Sequence, residues 1–550
     1  MTQTISISEF HNEPLLDFSH CEVWNNIQTA LCEVRSTTFG TIHPLIIGGE
    51  EKRTKITFSR KNPSDVSEIV GFISSACLED VTRAIAVAKN SRQAKEWASR
   101  SLGERAEYLR KTADGIREKR YFFIALMMLE VGKSAHEADG EVCEAIDLLR
   151  YYADCAELLD QLNSASLRSL PGEKNTGRYI PIGVPPIGIS IQPWNFPLAI
   201  SAGPLGAGLV TGHAMIYKPA EQSSITGYHL AKTFLDAGIP EDILCFLSGE
   251  GESVGRELVR HPAVKAIAFT GSKAVREEIE KSIFTFNHTL IHDLPPSERF
   301  PKKAAALEAG GKNVIIIDND ADIDEALVAI CDSAFGFSGQ KCSACSRLIV
   351  TGNRGFYSAL IERLSEAVQD MPVGPPEMLK YIVGPLIDRC AYERVAMCMA
   401  DAKSEKRLVV TGTVDPEYVK KGYFLPPMLV EESNCSSLRS QKEIFGPLLS
   451  VFWAKDFDEA IRMANDTEYA LTAGVYSRNP EHVQRAISEI NAGNIYINKK
   501  ITGAIVARQP FGGHKMSGNG TKAGGWDYLL SFMDRQHISE DTMRRGTPIE

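Results

Sequence analysis

No run in this chain is long enough to be a membrane span. The most apolar stretches, Tyr121 to Leu129 and Gly183 to Ile191, fall well short of the roughly 18–20 residues that a helix needs to cross a bilayer. The opening MTQTISISEFHNEP has no basic cluster, no extended apolar core and no arginine. It therefore predicts neither a secretory signal nor an organelle presequence, and a cytoplasmic location. Positive charge is not in excess. Sixty Lys and Arg stand against 70 Asp and Glu, a formal net charge of −10. That balance excludes a broad phosphate-backbone footprint, so nucleic acid is not expected as a partner.

A disulfide framework is also missing. Twelve cysteines are scattered through 550 residues, which reads as reduced thiols in a core-rich chain. Cys342 and Cys345 form a C-x-x-C pair, but no second C-x-x-C and no H-x-x-x-H completes a four-ligand zinc site. No metal is expected, while dithiol chemistry at the pair stays open. Internal repeats and low-complexity segments are absent.

What remains is an ordinary globular composition, 43% hydrophobic and 24% charged, with length for roughly three or four domains. From Val184 onward, β-type runs alternate with helical stretches. Strands are predicted at Ile187–Gln192, Ala214–Tyr217, Ile243–Leu247 and Ala266–Phe269. Helices are predicted at Ser223–Ala237, Glu252–Arg260 and Lys273–Ser282. Such alternation implies a parallel, doubly wound sheet whose ligands bind beyond the carboxyl ends of its strands. Upstream, Asp80–Ala98, Arg105–Arg117 and Ala135–Leu159 read as amphipathic helices. Phe284 to Lys303, with His288, His292 and Pro295-Pro296, reads as a loop. A second β–α series starts at Val314–Ile317 and continues through helices Ile323–Phe335, Phe356–Val368 and Phe457–Ala464.

Five segments carry candidate chemistry. GQKCSACSR, Gly339 to Arg347, places Cys342 on a turn between a helix and a strand, where a thiol can serve as nucleophile. A buried, inert cysteine is the plainer reading of any one thiol. PWNFP puts Trp194, Asn195 and Phe196 on a turn held by Pro193 and Pro197. The Asn195 amide there could donate to a developing oxyanion, or be an ordinary turn asparagine. YKPAE ends a strand with Lys218 and Glu221, a ribose-binding pair in a nucleotide fold or a surface ion pair. A carboxylate there would repel a 2′-phosphate and favour NAD. Gly249, Gly251 and Gly255 are spaced one residue wider than the usual dinucleotide fingerprint. With Phe269, Thr270, Gly271 and Ser272 they follow strands and open helices, as a pyrophosphate site requires. ALEAGGKN carries Glu308, a candidate general base if desolvated.

In order, PWNFP, KPAE, FTGS, E-x-GGK, GQKCSACSR and EIFGP (Glu443 to Pro447) resemble the aldehyde dehydrogenase superfamily, from about His43 to Phe532. The run Asn498 to Leu529, the Cys-Ser-Ala context of Cys342 and the opening FHNEPLLD (Phe10 to Asp17) resemble its 1-pyrroline-5-carboxylate dehydrogenase branch. The resemblance implies an α/β fold with a Rossmann-type NAD-binding domain over residues 1–307. A catalytic domain would cover 308–519, and an oligomerisation strand and tail 520–550. A hairpin near 170–190 would belong to the same small β flap.

The resemblance also implies NAD-dependent oxidation of L-glutamate γ-semialdehyde to glutamate, with another semialdehyde such as succinate semialdehyde as the alternative. Cys342 would be the nucleophile, Glu308 the base and Asn195 an oxyanion donor. Pro193, Trp194, Lys218, Glu221, Gly251, Gly255, Phe269 to Ser272, Glu443 and Phe445 would meet the cofactor. Ser343 and the N–H groups of Gly503 and Ala504 would hold the substrate carboxylate as a small anion nest. Phe196 and Phe511 would pack its stem, and Glu137, with Asp139, would face its ammonium. A homodimer or larger homo-oligomer and a proline dehydrogenase are the expected partners. Trp526 and Lys442 depart from the branch's usual residues.

Overall fold

The computed structural model describes residues 10–163, 167–288 and 303–543. Two seven-stranded sheets organise them. The first contains Leu45–Ile47 (β1), Glu50–Lys52 (β2), Ile187–Gln192 (β3), Ala214–Pro219 (β4), Leu244–Phe246 (β5), Ala266–Thr270 (β6) and Ala304–Glu308 (β7). Its order is β7-β6-β3-β4-β5-β1-β2. Strands β3 to β7 are mutually parallel. Runs such as IGISIQ and AIAFT are almost wholly buried, because helices cover both faces of a parallel sheet.

The chain steps from β3 through β4 to β5, then returns to lay β6 on the other side of β3. This reversal opens a crevice beyond the carboxyl ends of β3 and β6. The Pro193–Pro197 turn and the Gly271–Ser272 turn sit there.

The second sheet contains Asn313–Ile317 (β8), Cys345–Thr351 (β9), Leu408–Thr411 (β10), Met428–Glu431 (β11), Leu448–Ala454 (β12), Thr472–Tyr476 (β13) and Asn494–Ile497 (β14). Its order is β10-β11-β12-β9-β8-β13-β14, with β10 antiparallel to β11 and the other pairs parallel. Residues 309 to 312 alone separate β7 from β8. The carboxyl end of one sheet therefore faces the amino end of the other. Cys342 lies just before β9, at the amino end of its strand.

Five helices frame the junction: Ala135–Asn163 (α1), Ala199–Val210 (α2), Ser224–Asp236 (α3), Lys273–His288 (α4) and Ile323–Phe335 (α5). Some boundaries differ from expectation. Asp80–Ala98 is two helices, Leu78–Asn90 and Arg92–Ser99. Ser91 leaves helical geometry at φ −62°, ψ 138°, and its hydroxyl accepts the Ala94 N–H, the behaviour that makes serine an N-cap. Glu252–Arg260 is only partly α-helical, with a π-type turn at Gly251–Gly255 before Arg256–Arg260. Phe284 is not in a loop but in the last turns of α4. His292 and Pro295-Pro296 lie outside the described residues. A helix at Cys21–Thr37 was not anticipated.

Glu173–Pro181 pairs antiparallel with Met533–Asp541 in a separate two-stranded ribbon. No described helix is long and apolar enough to cross a membrane.

Candidate active site

The turn that carries Cys342 begins where α5 ends. Phe337, Ser338 and Gly339 follow with φ of 52°, 56° and 68°, the left-handed region that costs a non-glycine residue energy. Neighbours hold them there. Ser338 Oγ donates to the Gly384 carbonyl at 2.7 Å. The buried Gln340 amide donates to the Pro385 carbonyl at 3.1 Å and accepts the Ile387 N–H at 2.9 Å. A Cβ on Gly339 would strike the Gly446 carbonyl. Beyond the turn, Asn313 Nδ2 donates to the carbonyls of Cys342 at 2.7 Å and Ala344 at 2.9 Å. Asn313 thus orients the backbone that carries the thiol.

Burial pushes the Cys342 thiol up to about 12, and the Glu443 and Glu308 carboxylates push the same way. A thiol so displaced is protonated near neutral pH and needs a base before it can attack. Cys345 is buried in β9 and donates its S–H to the Arg347 carbonyl at 3.4 Å.

Glu308 closes β7 and shares a cavity of about 120 Å³ with Cys342. Its Oε2 accepts the Gly513 N–H at 3.0 Å, while buried Oε1 has no partner among the described residues. A Cβ on Gly518 would lie 2.6 Å from Oε1, so glycine is required for this slot. Burial raises the carboxyl well above the usual range, against the Gly513 N–H, Lys522 and Arg276. Lys522 reaches the slot through one peptide unit. Its ammonium donates to the Gly512 carbonyl, and the N–H of that same peptide is the one that Glu308 accepts. Hydrogen bonds in such a chain polarise one another.

Asn195 is buried on the turn between β3 and α2, and its Nδ2 donates to the Gln340 carbonyl at 3.1 Å. An amide has two N–H groups, and this bond uses one of them. Behind it, Lys133 and Glu141 form a fully buried ion pair. The Lys133 ammonium lies 3.6 Å from the centroid of the Phe196 ring. Glu141 accepts the N–H groups of Leu198 at 2.7 Å and Ala199 at 3.2 Å, so one carboxylate caps the first turn of α2. Breaking a pair this deeply buried costs about 3–5 kcal/mol, because it strands the remaining charge.

The structure divides the expected residues between two places. Cys342, Ser343, Glu308, Phe269 and Thr270 line the cavity, as do Phe196, Phe511, Gly503 and Ala504. Gly503 has φ of 73° with open space where a Cβ would be, so backbone geometry rather than crowding calls for glycine.

Lys218, Glu221 and Gly251 meet at the carboxyl end of β4. Lys218 Nζ lies 3.2 Å from Glu221 Oε1, which also accepts the Gly251 N–H at 2.8 Å. Gly255 lies beside the Lys218 stem. Ser272 Oγ accepts the Val275 N–H at 3.4 Å, and the Gly271 N–H reaches the Glu308 carbonyl at 3.2 Å. Trp194, next to Pro193, packs edge-on to Phe445 at 5.7 Å. Glu443 accepts the Gly311 N–H at 3.0 Å, and burial raises its carboxyl to about 7.

Glu137 is not on the cavity wall. It pairs with Lys341, the residue before Cys342, at 2.6 Å. Asp139 pairs with Arg120 at 2.6 Å, on the far side of α1. The α1 carboxylate that does line the cavity is Glu144, with Leu148 and Tyr152 on the same stripe. Burial raises it to about 8, and Glu141 adds to the shift. Glu137 and Glu141 each have a lysine partner, whereas among the described residues no basic side chain pairs with Glu144. The helical stripe 137, 141, 144 was visible in the sequence, but which carboxylate lacked a cation was not.

The model of the aldehyde dehydrogenase family matches residues 50–538. The chain belongs to the aldehyde dehydrogenase family. A 1-pyrroline-5-carboxylate dehydrogenase from a Geobacillus species is 39% identical over 535 residues, 97% of this chain and 99% of the relative. Among solved structures, 1-pyrroline-5-carboxylate dehydrogenase from Thermus with bound NAD is 38% identical. It superimposes with a TM-score of 0.89, over 98% of this aldehyde dehydrogenase and all of the Thermus chain. Proline utilization A from Bdellovibrio bacteriovorus is 40% identical with a TM-score of 0.91, over 98% of this chain and 54% of its own.

Proposed function

We propose that this aldehyde dehydrogenase oxidises L-glutamate γ-semialdehyde, in equilibrium with 1-pyrroline-5-carboxylate, to L-glutamate, with NAD as the hydride acceptor. The observation that carries the substrate is Glu144. It is a carboxylate without a cation, on the wall of a cavity that also carries the Gly503–Ala504 backbone and Ser343. An amino acid aldehyde supplies an ammonium for the first and a carboxylate for the second. The names of the Geobacillus and Thermus relatives agree. Succinate semialdehyde has no ammonium and would leave the Glu144 carboxyl, which burial raises to about 8, without an ionic partner.

The cofactor cleft fits a dinucleotide without a 2′-phosphate. Glu221 places a carboxylate beside Lys218 at a strand end, where the two hydroxyls of a ribose are accepted and a phosphate is repelled. Trp194 packs on Phe445, and Glu443 is near enough to Cys342 to push its thiol up. NAD, when bound, supplies the acceptor for the hydride that leaves the thiohemiacetal carbon.

The chain's own residues do the rest. Glu308 takes the thiol proton, and Cys342 sulfur bonds to the aldehyde carbon. The carbonyl oxygen becomes an oxyanion held by the free Asn195 N–H and the Cys342 backbone N–H. Loss of hydride leaves a thioester. Glu308, having passed its proton to solvent, takes a proton from water as that water attacks the thioester. The C–S bond breaks and glutamate departs.

Two measurements test this reading. In Asn195→Ala, turnover should fall by about 10²–10³-fold with KM little changed, as for other single oxyanion donors. An unchanged turnover number would remove Asn195 from the mechanism. In Glu144→Gln, KM for the glutamate aldehyde should rise by about 10–100-fold, the worth of a charged hydrogen bond. KM for propanal should hold. An equal rise for both aldehydes would separate Glu144 from ammonium recognition.

The ribbon of Glu173–Pro181 and Met533–Asp541 supports homo-oligomer formation. Two strands alone are marginal in water, and the second is exposed along nearly its whole length. The name of the Bdellovibrio relative supports a link to proline oxidation.

A further inference from the structure

The opening FHNEPLLD has no part in the chemistry above, yet it is tied down at every turn. Phe10 packs edge-on against Tyr151 at 5.1 Å. Glu13 forms a two-pronged pair with Arg117 at 2.8 and 2.9 Å. The Pro14 carbonyl accepts from Arg120 at 2.9 Å, and the Leu16 N–H donates to Asp139 at 2.8 Å. This strap lies along α1 beside the stripe that faces the substrate cavity.

One side chain of the strap spans two walls of that cavity. Asn12 Nδ2 donates to Asp147 Oδ2 at 2.8 Å and to the Val506 carbonyl at 3.1 Å. The other Asp147 oxygen accepts the Glu13 N–H at 2.7 Å, which fixes the carboxylate that Asn12 uses. Asp147 lies one helical turn beyond Glu144 on α1. Val506 lies three residues beyond Gly503, and both it and Gly503 line the cavity. The ammonium wall and the carboxylate wall are thus joined, outside the cavity, by a single amide.

Nothing else in the strap touches the 503–506 loop by a hydrogen bond. That loop is otherwise held locally, by the Gln509 side chain on the Ile505 N–H at 3.2 Å and by the Ala507 N–H on the Gly524 carbonyl at 3.0 Å. The first is confined to the loop. The second leads to α1 only indirectly, since Gly524 donates its own N–H to Tyr152 Oη at 2.8 Å. Asn12 is therefore the strap's direct link between the loop and that helix.

We propose that Asn12 is a specificity-determining positioning residue, which sets the spacing between Glu144 and the Gly503–Ala504 N–H groups so that both charged ends of an amino acid aldehyde are met at once. The proposal rests on the amino acid reading of the cavity. A simple aldehyde uses neither wall and is indifferent to their spacing. A small error of placement is enough to weaken a two-ended contact. Asn12 touches no reacting atom, so its removal acts on substrate selection and leaves turnover alone.

The test compares glutamate γ-semialdehyde with propanal in the wild-type enzyme, Asn12→Ala and Asn12→Asp. Aspartate keeps the shape, loses the N–H donors and faces Asp147 as a like charge. In both variants the ratio of kcat/KM for the two aldehydes should fall by about tenfold, the worth of roughly 1.4 kcal/mol of lost bonding. The loss should lie in KM for the amino acid aldehyde, with kcat and propanal KM unchanged. The inhibition constant of L-glutamate should rise in step. A wild-type ratio near one would sink the amino acid reading and this proposal with it. A large wild-type ratio that both variants retain would overturn the role of Asn12 alone. So would equal losses for the two aldehydes, which is what general loosening of the fold produces.

Discussion

Cys342→Ala should abolish NADH formation with every aldehyde, by about 10⁴-fold or more, as expected when a covalent nucleophile is removed. The fold should tolerate it. The turn is held by Ser338, Gln340 and Asn313 through backbone groups, none of which involves the thiol. NAD binding should survive, because the Lys218–Glu221–Gly251 cluster is at the far end of the crevice. Normal NADH formation by the variant would dismiss the thiohemiacetal mechanism outright.

The wild-type thiol offers a companion measurement. Burial and two neighbouring carboxylates hold it at about 12, so the thiolate is scarce at neutral pH. Alkylation of the free enzyme by iodoacetamide should be slow near pH 7 and rise about tenfold per pH unit without a plateau below pH 10. A plateau near pH 8 would mean an ordinary thiol.

Glu308→Gln should separate the two halves of the reaction. Glutamine fits the slot, since its carbonyl oxygen can accept the Gly513 N–H as Oε2 does now. With no base to activate water, the thioester should accumulate. Rapid mixing should show a burst of at most one NADH per active site, formed more slowly than in wild type because the thiol also loses its base. Steady turnover should fall by about 10²–10⁴-fold, the range for a general base. Full turnover with no accumulation would assign the hydrolytic base elsewhere.

The sign of the pH dependence follows from the raised carboxyl. Only ionised Glu308 accepts a proton, so wild-type turnover should fall as pH drops through its folded pKa. That acid limb should lie above the ordinary glutamate range, because burial raises the carboxyl. Stability runs the other way. Between the unfolded and folded pKa values the native chain binds more protons than the unfolded one, so this group's contribution declines as pH rises. Glu308→Gln should remove that decline.

Much of the site was legible because its chemistry sits at strand ends. Turns there have few acceptable sequences, and PWNFP, KPAE and FTGS carry prolines or glycines that mark them. The helix Ile323–Phe335 was also read to its ends. Asp322 accepts the Asp324 N–H at 3.0 Å as its cap, and the glycine-bearing turn terminates it. Glu137 failed for a physical reason. Three carboxylates share one stripe of α1, and helical spacing alone cannot say which two meet lysines from elsewhere. Lys133, just before α1, and Lys341, 204 residues from Glu137, decide that, and only the fold shows which carboxylate each one reaches.

Asn313 was hidden in a similar way. It closes the ALEAGGKN segment, but its amide bonds to Cys342 and Ala344 across the parallel pair β8–β9. Asn12 is the extreme case, with an acceptor at Val506, almost the whole chain away.

The sequence by itself determined the family, the two α/β series and the candidate reactive groups, because local turn chemistry and residue type are written residue by residue. Only the tertiary structure decided which charges are partnered, how far the thiol and the carboxyls are displaced from their ordinary pKa values, and which side chains hold the walls of the cavity at their spacing. Those properties depend on burial and on contacts between distant segments, and neither exists until the two sheets meet.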